Sequence, residues 1–327
     1  MLGTDSAVMD HIKGGIIHQK IRHKLRSEIL KPGLNLRTLA DKIEQEVLAA
    51  GAQLAFPVGI GLNHVAAHWA PPQNCTQTLG EQDLITIDFG ILTGAGAITD
   101  AAFTHCLSDR FDELLEVSRQ ATQAGIDALA PGVPLSQVGK AISEAVADRR
   151  VMIDGVEHQV RVITNLCGHK ILPYKVHGFK AVPNYNHPKY TEVAQEGEVY
   201  AIEPFITTAP SSKVDESTVC NHYMLNYLNL NLESVISGAR LSARESQILR
   251  AVRQHFNTLC FSPEQLLKAT GLKQTQAQVS LGLKMLVRRD ILNAYPELVV
   301  ATGHFVSQFE SNALVSKQGR TLLTGKD

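Results

Sequence analysis

Residues 83–107 read DLITIDFGILTGAGAITDAAFTHCL. Two β-rich runs, Asp83–Gly90 and Ala97–Leu107, flank a glycine-containing turn, and that pattern predicts a hairpin. Each arm carries one carboxylate in an apolar setting, Asp88 in ITIDFG and Asp100 in AITDAAF. An ionised carboxylate in such a run is costly to bury unless something neutralises it. The same difficulty recurs at Glu203 in YAIEPF and Glu310 in SQFESN, while His169 lies in the similar run LCGHKI. No Lys or Arg sits in the four runs that carry the carboxylates. Four carboxylates cannot neutralise one another, whereas two divalent cations can. Oxygen donors with a single imidazole suit Mn, Fe(II) or Co and tolerate Zn. Singly, each residue has a plainer reading as a hydrogen-bonded acceptor or a satisfied core histidine. The set together points to a metal centre.

Outward from the hairpin, the chain is organised in echoing halves. Residues 7–30 place Val8, Ile12, Ile16, Ile17, Ile21, Leu25 and Ile29 at helical spacing, predicting one buried stripe. Pro32-Gly33 ends that helix, and Leu36–Ala50 is a second, stopped by Gly51. The apolar run LAFPVGIGLNHVAAHW has no helical period and reads as strand and turn. After the hairpin, Phe111–Ala130 and Leu135–Arg149 are again helices, and Val199–Ile206 (VYAIEPFI) is again strand-like. His68, Pro71-Pro72 and GEQDLITIDFG in the first half match His177, Pro183 and EGEVYAIEPF in the second. A duplicated α/β unit would put Asp88 and Glu203 at equivalent points about a pseudo-twofold axis.

From Leu241 the texture changes. SARESQILRAVRQHF, SPEQLLKAT and TQAQVSLGLKMLVRRD predict three short helices, followed by the strand-like ILNAY. Residues 241–294 are therefore expected to form an inserted helical subdomain of winged-helix type, with 1–240 and 295–327 as the catalytic body. The insert is basic: nine Lys and Arg residues from Arg240 through Lys273 to Arg289 face only Glu245, Glu264 and Asp290. Its Arg288-Arg289 pair lies near the C-terminus of the last helix, whereas base-reading residues lie near the N-terminus of a recognition helix. No sequence-specific nucleic acid is expected, and a solvated surface, open to docking on the ribosome, is the better reading.

The 327 residues are 44% hydrophobic and 19% charged, with 31 Lys plus Arg against 32 Asp plus Glu. A net charge of -1 gives no chain-wide pull toward polyanions. No apolar run resembles a signal peptide or a transmembrane helix. Five scattered cysteines without a CxxC fit a reducing, cytoplasmic compartment. Monomer is the default expectation.

The stretches FPVGIGLNHVAAHW, ITIDFG with ITDAAFT, NLCGHKILPYKVHG, EGEVYAIEPF, CNHYM and VSQFES occur in the order found in one family. In them the chain resembles the type II methionine aminopeptidases, members of the pita-bread-fold metallopeptidases, in the short form without an N-terminal extension. The resemblance implies an α/β (α+β) pita-bread fold of two pseudo-symmetric halves. Asp88 resembles a bidentate ligand of the first metal, Asp100 and Glu310 the bridging carboxylates, and His169 and Glu203 the ligands of the second. It further implies hydrolysis of the first peptide bond of chains that begin with methionine, N-terminal segments of nascent polypeptides among them. A metal-activated hydroxide would attack, Glu203 would shuttle the proton, and His68 and His177 would hydrogen-bond the peptide and the oxyanion. Phe56, Val176, His222, Cys260 and Tyr295 match positions lining the methionine pocket, whose size restricts the second residue to small ones. His68 matches the histidine that fumagillin-like epoxides alkylate. A non-catalytic adaptor of the same fold is the alternative, and the complete ligand set argues against it.

Three departures from the family pattern stand out. Asp88 and Asp100 are twelve apart rather than eleven, so the hairpin needs a bulge or a longer turn. Ser311-Asn312 follow Glu310 where His-Thr is common, which bears on the groups supporting that carboxylate. Cys260 stands where alanine is usual.

Overall fold

The computed structural model describes residues 5–226, 235, 241–271 and 274–325. Arg240 and Lys273 of the basic insert, and the expected boundary at residue 240, lie outside the described residues.

Helix α1 (Asp5–Lys24) runs into a single π-helical turn, Leu25–Ile29. Helix α2 (Leu36–Ala49) follows, and Asn35 caps it by accepting the Thr38 N–H. Ile17 and Ile21 of α1 and Leu25 of the π-helical turn are buried as the spacing predicts, but Ile16 is 48% exposed while His11, His18 and Arg22 are buried. The reason lies in what α1 covers. Its inner face meets backbone carbonyls, so His18 Nε2 bonds Ala101 O at 2.9 Å and Arg22 donates to Thr324 O at 3.1 Å. The His18 ring also stacks on Phe89, with centroids 3.9 Å apart.

Strands β1 (Gln53–Leu54), β2 (Gly59–Leu62) and β3 (Val65–Ala67) precede the hairpin of β4 (Ile85–Thr93) and β5 (Ala97–His105). β2 and β1 share one edge of β4, and β5 takes the other. The hairpin pairs without a break from Ile85↔His105 to Thr93↔Ala97, which leaves a three-residue turn, Gly94-Ala95-Gly96. Both glycines have positive φ, 50° and 103°, which glycine adopts freely. This is the longer turn that the spacing requires, and no bulge is needed. Because the turn has an odd number of residues, a separation of twelve leaves Asp88 and Asp100 on one face of the hairpin.

The second half opens with α3 (Asp112–Ala128) and α4 (Leu135–Val146), then the pair β6 (Arg150–Ile153) and β7 (Val156–Gln159), and β8 (Arg161–Val162). β9 (Cys167–Ile171), β10 (Ala181–Pro183), β11 (Val199–Ile202), β12 (Phe205–Thr207) and β13 (Asp215–Leu225) complete it. Three helices follow: α5 (Ala243–His255), α6 (Pro263–Thr270) and α7 (Gln276–Arg288). Each starts with a capping box, Ser242/Glu245, Ser262/Gln265 and Thr275/Gln278. β14 (Leu292–Val299), β15 (Val306–Gln308), β16 (Ser311–Ser316) and β17 (Gly319–Leu322) return to the body. Among the described residues no helix is long and apolar enough to cross a membrane.

One five-stranded sheet has the order β10-β9-β11-β16-β17, and a three-stranded sheet the order β15-β12-β8. The expected single strand Val199–Ile206 is thus two strands in two sheets. Pro204 lacks a ladder donor, and the chain changes sheet at Glu203-Pro204. The partner run breaks opposite, at Phe309-Glu310, since Ile202 pairs with Ser311 and Phe205 with Gln308. Both breaks therefore fall at carboxylates.

The three inserted helices pack around their own apolar cluster, with Ile248, Phe261, Val279 and Leu283 inside it. Tyr223 and Leu225 of β13 join that cluster, and β14 runs across residue 294. Lys268 of α6 ties the insert to α2, 2.9 Å from Asp41 and 3.1 Å from Glu44.

Glu198, just ahead of β11, binds the second sheet together. It lies 2.7 Å from Lys170 Nζ and 2.8 Å from Lys180 Nζ, and accepts from Tyr200 OH and the Gln195 N–H. Burial alone would raise its pKa, but the two ammonium groups and two donors outweigh it and bring it from 4.5 to about 2. A depressed carboxyl stabilises the fold above its unfolded pKa, and that contribution is lost as pH falls toward the folded value. Glu198→Gln is therefore expected to lower the melting temperature at neutral pH, with the gap to the unsubstituted protein closing between pH 4.5 and about 2. A gap that stays constant across that range contradicts this role.

Candidate active site

A cavity of about 230 Å³ lies where the two halves meet the insert. That is near the small end of ligand pockets, which run to about 300–1,000 Å³. All twelve residues singled out in the sequence line it: Phe56, His68, Asp88, Asp100, His169, Val176, His177, Glu203, His222, Cys260, Tyr295 and Glu310. The hairpin supplies Asp88 and Asp100, β9 supplies His169, and the two sheet breaks supply Glu203 and Glu310.

Asp100, His169 and Glu310 are buried, and each offers one donor atom within 4.8 Å of the others. His169 Nε2 stands 3.5 Å from Asp100 Oδ2 and 3.2 Å from Glu203 Oε1. Burial would lower the His169 pKa, but its hydrogen bonds to those two carboxylates win and push it up to about 10. Asp88 is driven well above the carboxylate range by burial and by the Asp100 and Glu203 charges. Glu310 is driven the same way by burial and then by Asp100, Glu203 and Asp88. Burial also raises Glu203, against the pull of His169. Asp88 Oδ1 and Glu310 Oε1 are buried with no hydrogen-bond partner. No Lys or Arg is among the residues lining the cavity. Orphaned oxygens, mutually raised carboxyls and one imidazole form a donor set that fits hard divalent cations.

The halves are sewn together beside these groups. Asp100 N donates to Asn312 Oδ1 at 2.7 Å, and Glu310 N donates to Ala102 O at 2.9 Å. Gln308 Nε2 approaches Glu310 Oε2 at 3.4 Å, and its backbone exchanges hydrogen bonds with Thr104. The departure at Ser311-Asn312 thus has a structural answer, since Asn312 fixes the backbone of Asp100.

The histidines occupy the other walls. His68 has φ 63°, a left-handed conformation that costs a non-glycine residue about 1–2 kcal/mol and that clusters at functional sites. Its ring meets Tyr295 edge-on at 5.7 Å and His222 at 6.2 Å. Burial lowers its pKa, partly offset by the Pro296 carbonyl. His222 falls to about 3 through burial and the neighbouring His68. His177 stands at the mouth, partly in solvent, with its ring 4.2 Å from that of His169. The protein crowding that ring, with His169 and His68, holds it well below 6.5. All three are neutral at pH 7.

Phe56 reaches the wall because Gly90 faces it. A Cβ on Gly90 would come within 2.2 Å of the Phe56 ring. Sequence reasoning missed Gly59, Asn165, Leu166, Cys167 and Phe205 as lining residues. Strand alternation could have found Cys167, two residues before His169 and so on the same face of β9. Burial and the Glu203 charge push its thiol up to about 11, and burial and Asp100 push Cys260 up to about 12, so both are protonated thiols.

A model of metallopeptidase family M24 matches residues 11–244. The chain is 34% identical to methionine aminopeptidase 2 of Komagataella phaffii, over 93% of this chain and 66% of that protein. It is 35% identical to methionine aminopeptidase 2A of Arabidopsis thaliana, over 95% and 68%. It spans about two thirds of the length of these curated relatives. Among solved structures, a thermophilic Arx1 superposes with TM-score 0.80 at 13% identity, over 98% of this chain and 91% of that one. The methionine aminopeptidase from Rickettsia prowazekii gives 0.66 at 16%, over 98% of each. At such identities the structures speak for the fold alone, and the pita-bread fold is the one shared. Most of the chain matches the family's model, and its carboxylates converge on one cavity: the chain belongs to metallopeptidase family M24.

Proposed function

We propose that the chain is a methionine aminopeptidase that removes the N-terminal methionine from polypeptides with a small second residue. The observation that carries this reading is the cavity on whose lining four carboxylates converge beside His169, with no Lys or Arg there. Asp88, Asp100, His169, Glu203 and Glu310 would hold two divalent ions, Mn, Fe(II) or Co by donor chemistry, with Zn tolerated. Such ions, when bound, supply an activated water and polarise the scissile carbonyl. The five free cysteines agree with action in the cytoplasm.

The remaining steps fall to side chains already in place. The carboxylate oxygen of Glu203 that does not face His169 would take a proton from water and return it to the leaving amine. His68 and His177, both neutral, would donate to the peptide oxygen as charge builds on it. Phe56, Val176, His222, Cys260 and Tyr295 would receive the methionine side chain. The partial neutralisation of the insert's basic groups, Arg289 on Glu245 and Lys268 on Asp41 and Glu44, agrees with a wall-building rather than a nucleic-acid role.

Glu203→Gln is expected to cut methionine release from Met-Ala-Ser by roughly 10²–10⁴-fold, more if metal is also lost. Near-unchanged turnover with full metal content overturns the assignment. Chelation should abolish release, and restoring Mn should recover it. Added metal at about 100 times its Kd should stabilise the fold by about 2.7 kcal/mol in thermal unfolding. Loading should weaken as pH falls, because Asp88 and Glu310 must shed protons to bind. Activity that survives chelation contradicts the reading. His68→Ala should keep its metals, lose roughly 10²-fold in turnover and resist epoxides, with mass spectrometry placing the adduct of the unsubstituted protein on His68. An adduct on Cys260 instead shows the wrong histidine was chosen.

A further inference from the structure

Phe179 is 83% exposed, the most exposed of the large hydrophobic side chains among the described residues. It lies two residues beyond His177, so its Cα is at most about 7 Å from the Cα of a residue that lines the cavity mouth. The ammonium of Lys175 rests 3.7 Å from the centre of its ring, and Tyr174, in the same loop, is 44% exposed.

This loop is held firmly. Leu172 and Lys175 exchange backbone hydrogen bonds of 3.0 and 2.9 Å, and Gly178 N donates to Lys170 O at 2.6 Å. Tyr174 N donates to Gly96 O at 2.9 Å, and its ring covers Gly96 so closely that a Cβ there would come within 2.4 Å. Thr258, two residues before Cys260, donates its hydroxyl to Tyr174 O. The hairpin turn, β9 and the insert thus all brace one loop. An exposed aromatic on a braced loop binds without first paying to be ordered.

Something must cross this rim if the cavity works on a polypeptide. The space inside suits the first residue and its peptide bond, and the rest of the chain has to leave across the rim, where His177 and Asn165 are the exposed lining residues. We infer that Phe179, with Lys175 on its ring, forms a subsite for an aromatic or large apolar side chain at the third or fourth residue of the substrate polypeptide. This rests on the aminopeptidase reading and deepens it. Phe179 would touch neither the scissile bond nor the methionine, so it acts on binding and leaves the chemical step alone.

The test compares Met-Ala-Ser-Ser-Ser with Met-Ala-Phe-Ser-Ser and Met-Ala-Ser-Phe-Ser on the metal-loaded protein, Phe179→Ala and Phe179→Tyr. For the unsubstituted protein, one of the phenylalanine peptides should show a KM roughly 5- to 10-fold lower than the serine peptide. Phe179→Ala should lose that gain, Phe179→Tyr should keep it, and kcat should stay within about twofold throughout. The inference is overturned by an equal gain in Phe179→Ala, by no gain in the unsubstituted protein, or by a fall in kcat on all peptides, which would make Phe179 a support for His177. Fluorescence anisotropy of the same labelled peptides gives Kd ratios independently of turnover. If no peptide releases methionine yet these ratios hold, the aminopeptidase reading fails and the subsite stands.

Discussion

Four carboxylates facing one small cavity are the constraint around which this fold is built. At an effective dielectric of about 20, two unit charges about 4 Å apart repel by about 4 kcal/mol. A whole domain is stable by only about 5–15 kcal/mol. Asp88, Asp100, Glu203 and Glu310 therefore cannot all ionise in that space without cations. Burial raises the carboxyls of Asp88, Glu203 and Glu310, and hydrogen bonds to Asp100 and Glu203 push His169 up to about 10. Hydrogen bonds across the halves, from Asp100 N to the Asn312 side chain and from Glu310 N to Ala102 O, keep the repelling groups in place. Helix α1 backs the hairpin with His18 on Phe89 and Ala101, next to each aspartate.

Much of this was legible because period and chemistry disagreed. Asp88 and Asp100 are visible as charges where the β pattern demands apolar residues, and the three inserted helices as a change of texture after Leu241. Other features depend on tertiary partners. The buried His11, His18 and Arg22 of α1 break the apolar stripe because the surface below offers carbonyl oxygens, which no helical period encodes. The split of VYAIEPFI at Pro204 was open to reading from the proline, but the matching break at Glu310 appears only once the two runs are paired. The lining roles of Asn165 and Phe205 arise from convergence of distant segments, to which a local pattern is blind.

The insert and the loop at 172–180 give the site its individuality. Cys260 and Tyr295 come from the segments that flank or follow the inserted helices, and Lys268 fixes their distance from α2. The same segment braces Tyr174 through Thr258, so the pocket wall and the rim outside it are tied by a hydrogen bond. The four carboxylates and His169 sit on strands and sheet breaks, while Val176, Phe179 and Cys260 sit on a loop and an insertion. Selectivity can then change without disturbing the carboxylates.

The most direct measurement is anomalous scattering from crystals grown with Mn, collected at an energy where Mn contributes strongly. The account predicts two peaks in the cavity, each within coordination distance of Asp100 and Glu310, with Asp88 completing one site and His169 and Glu203 the other. A cavity without an anomalous peak, or Mn bound only elsewhere on the chain, would contradict it.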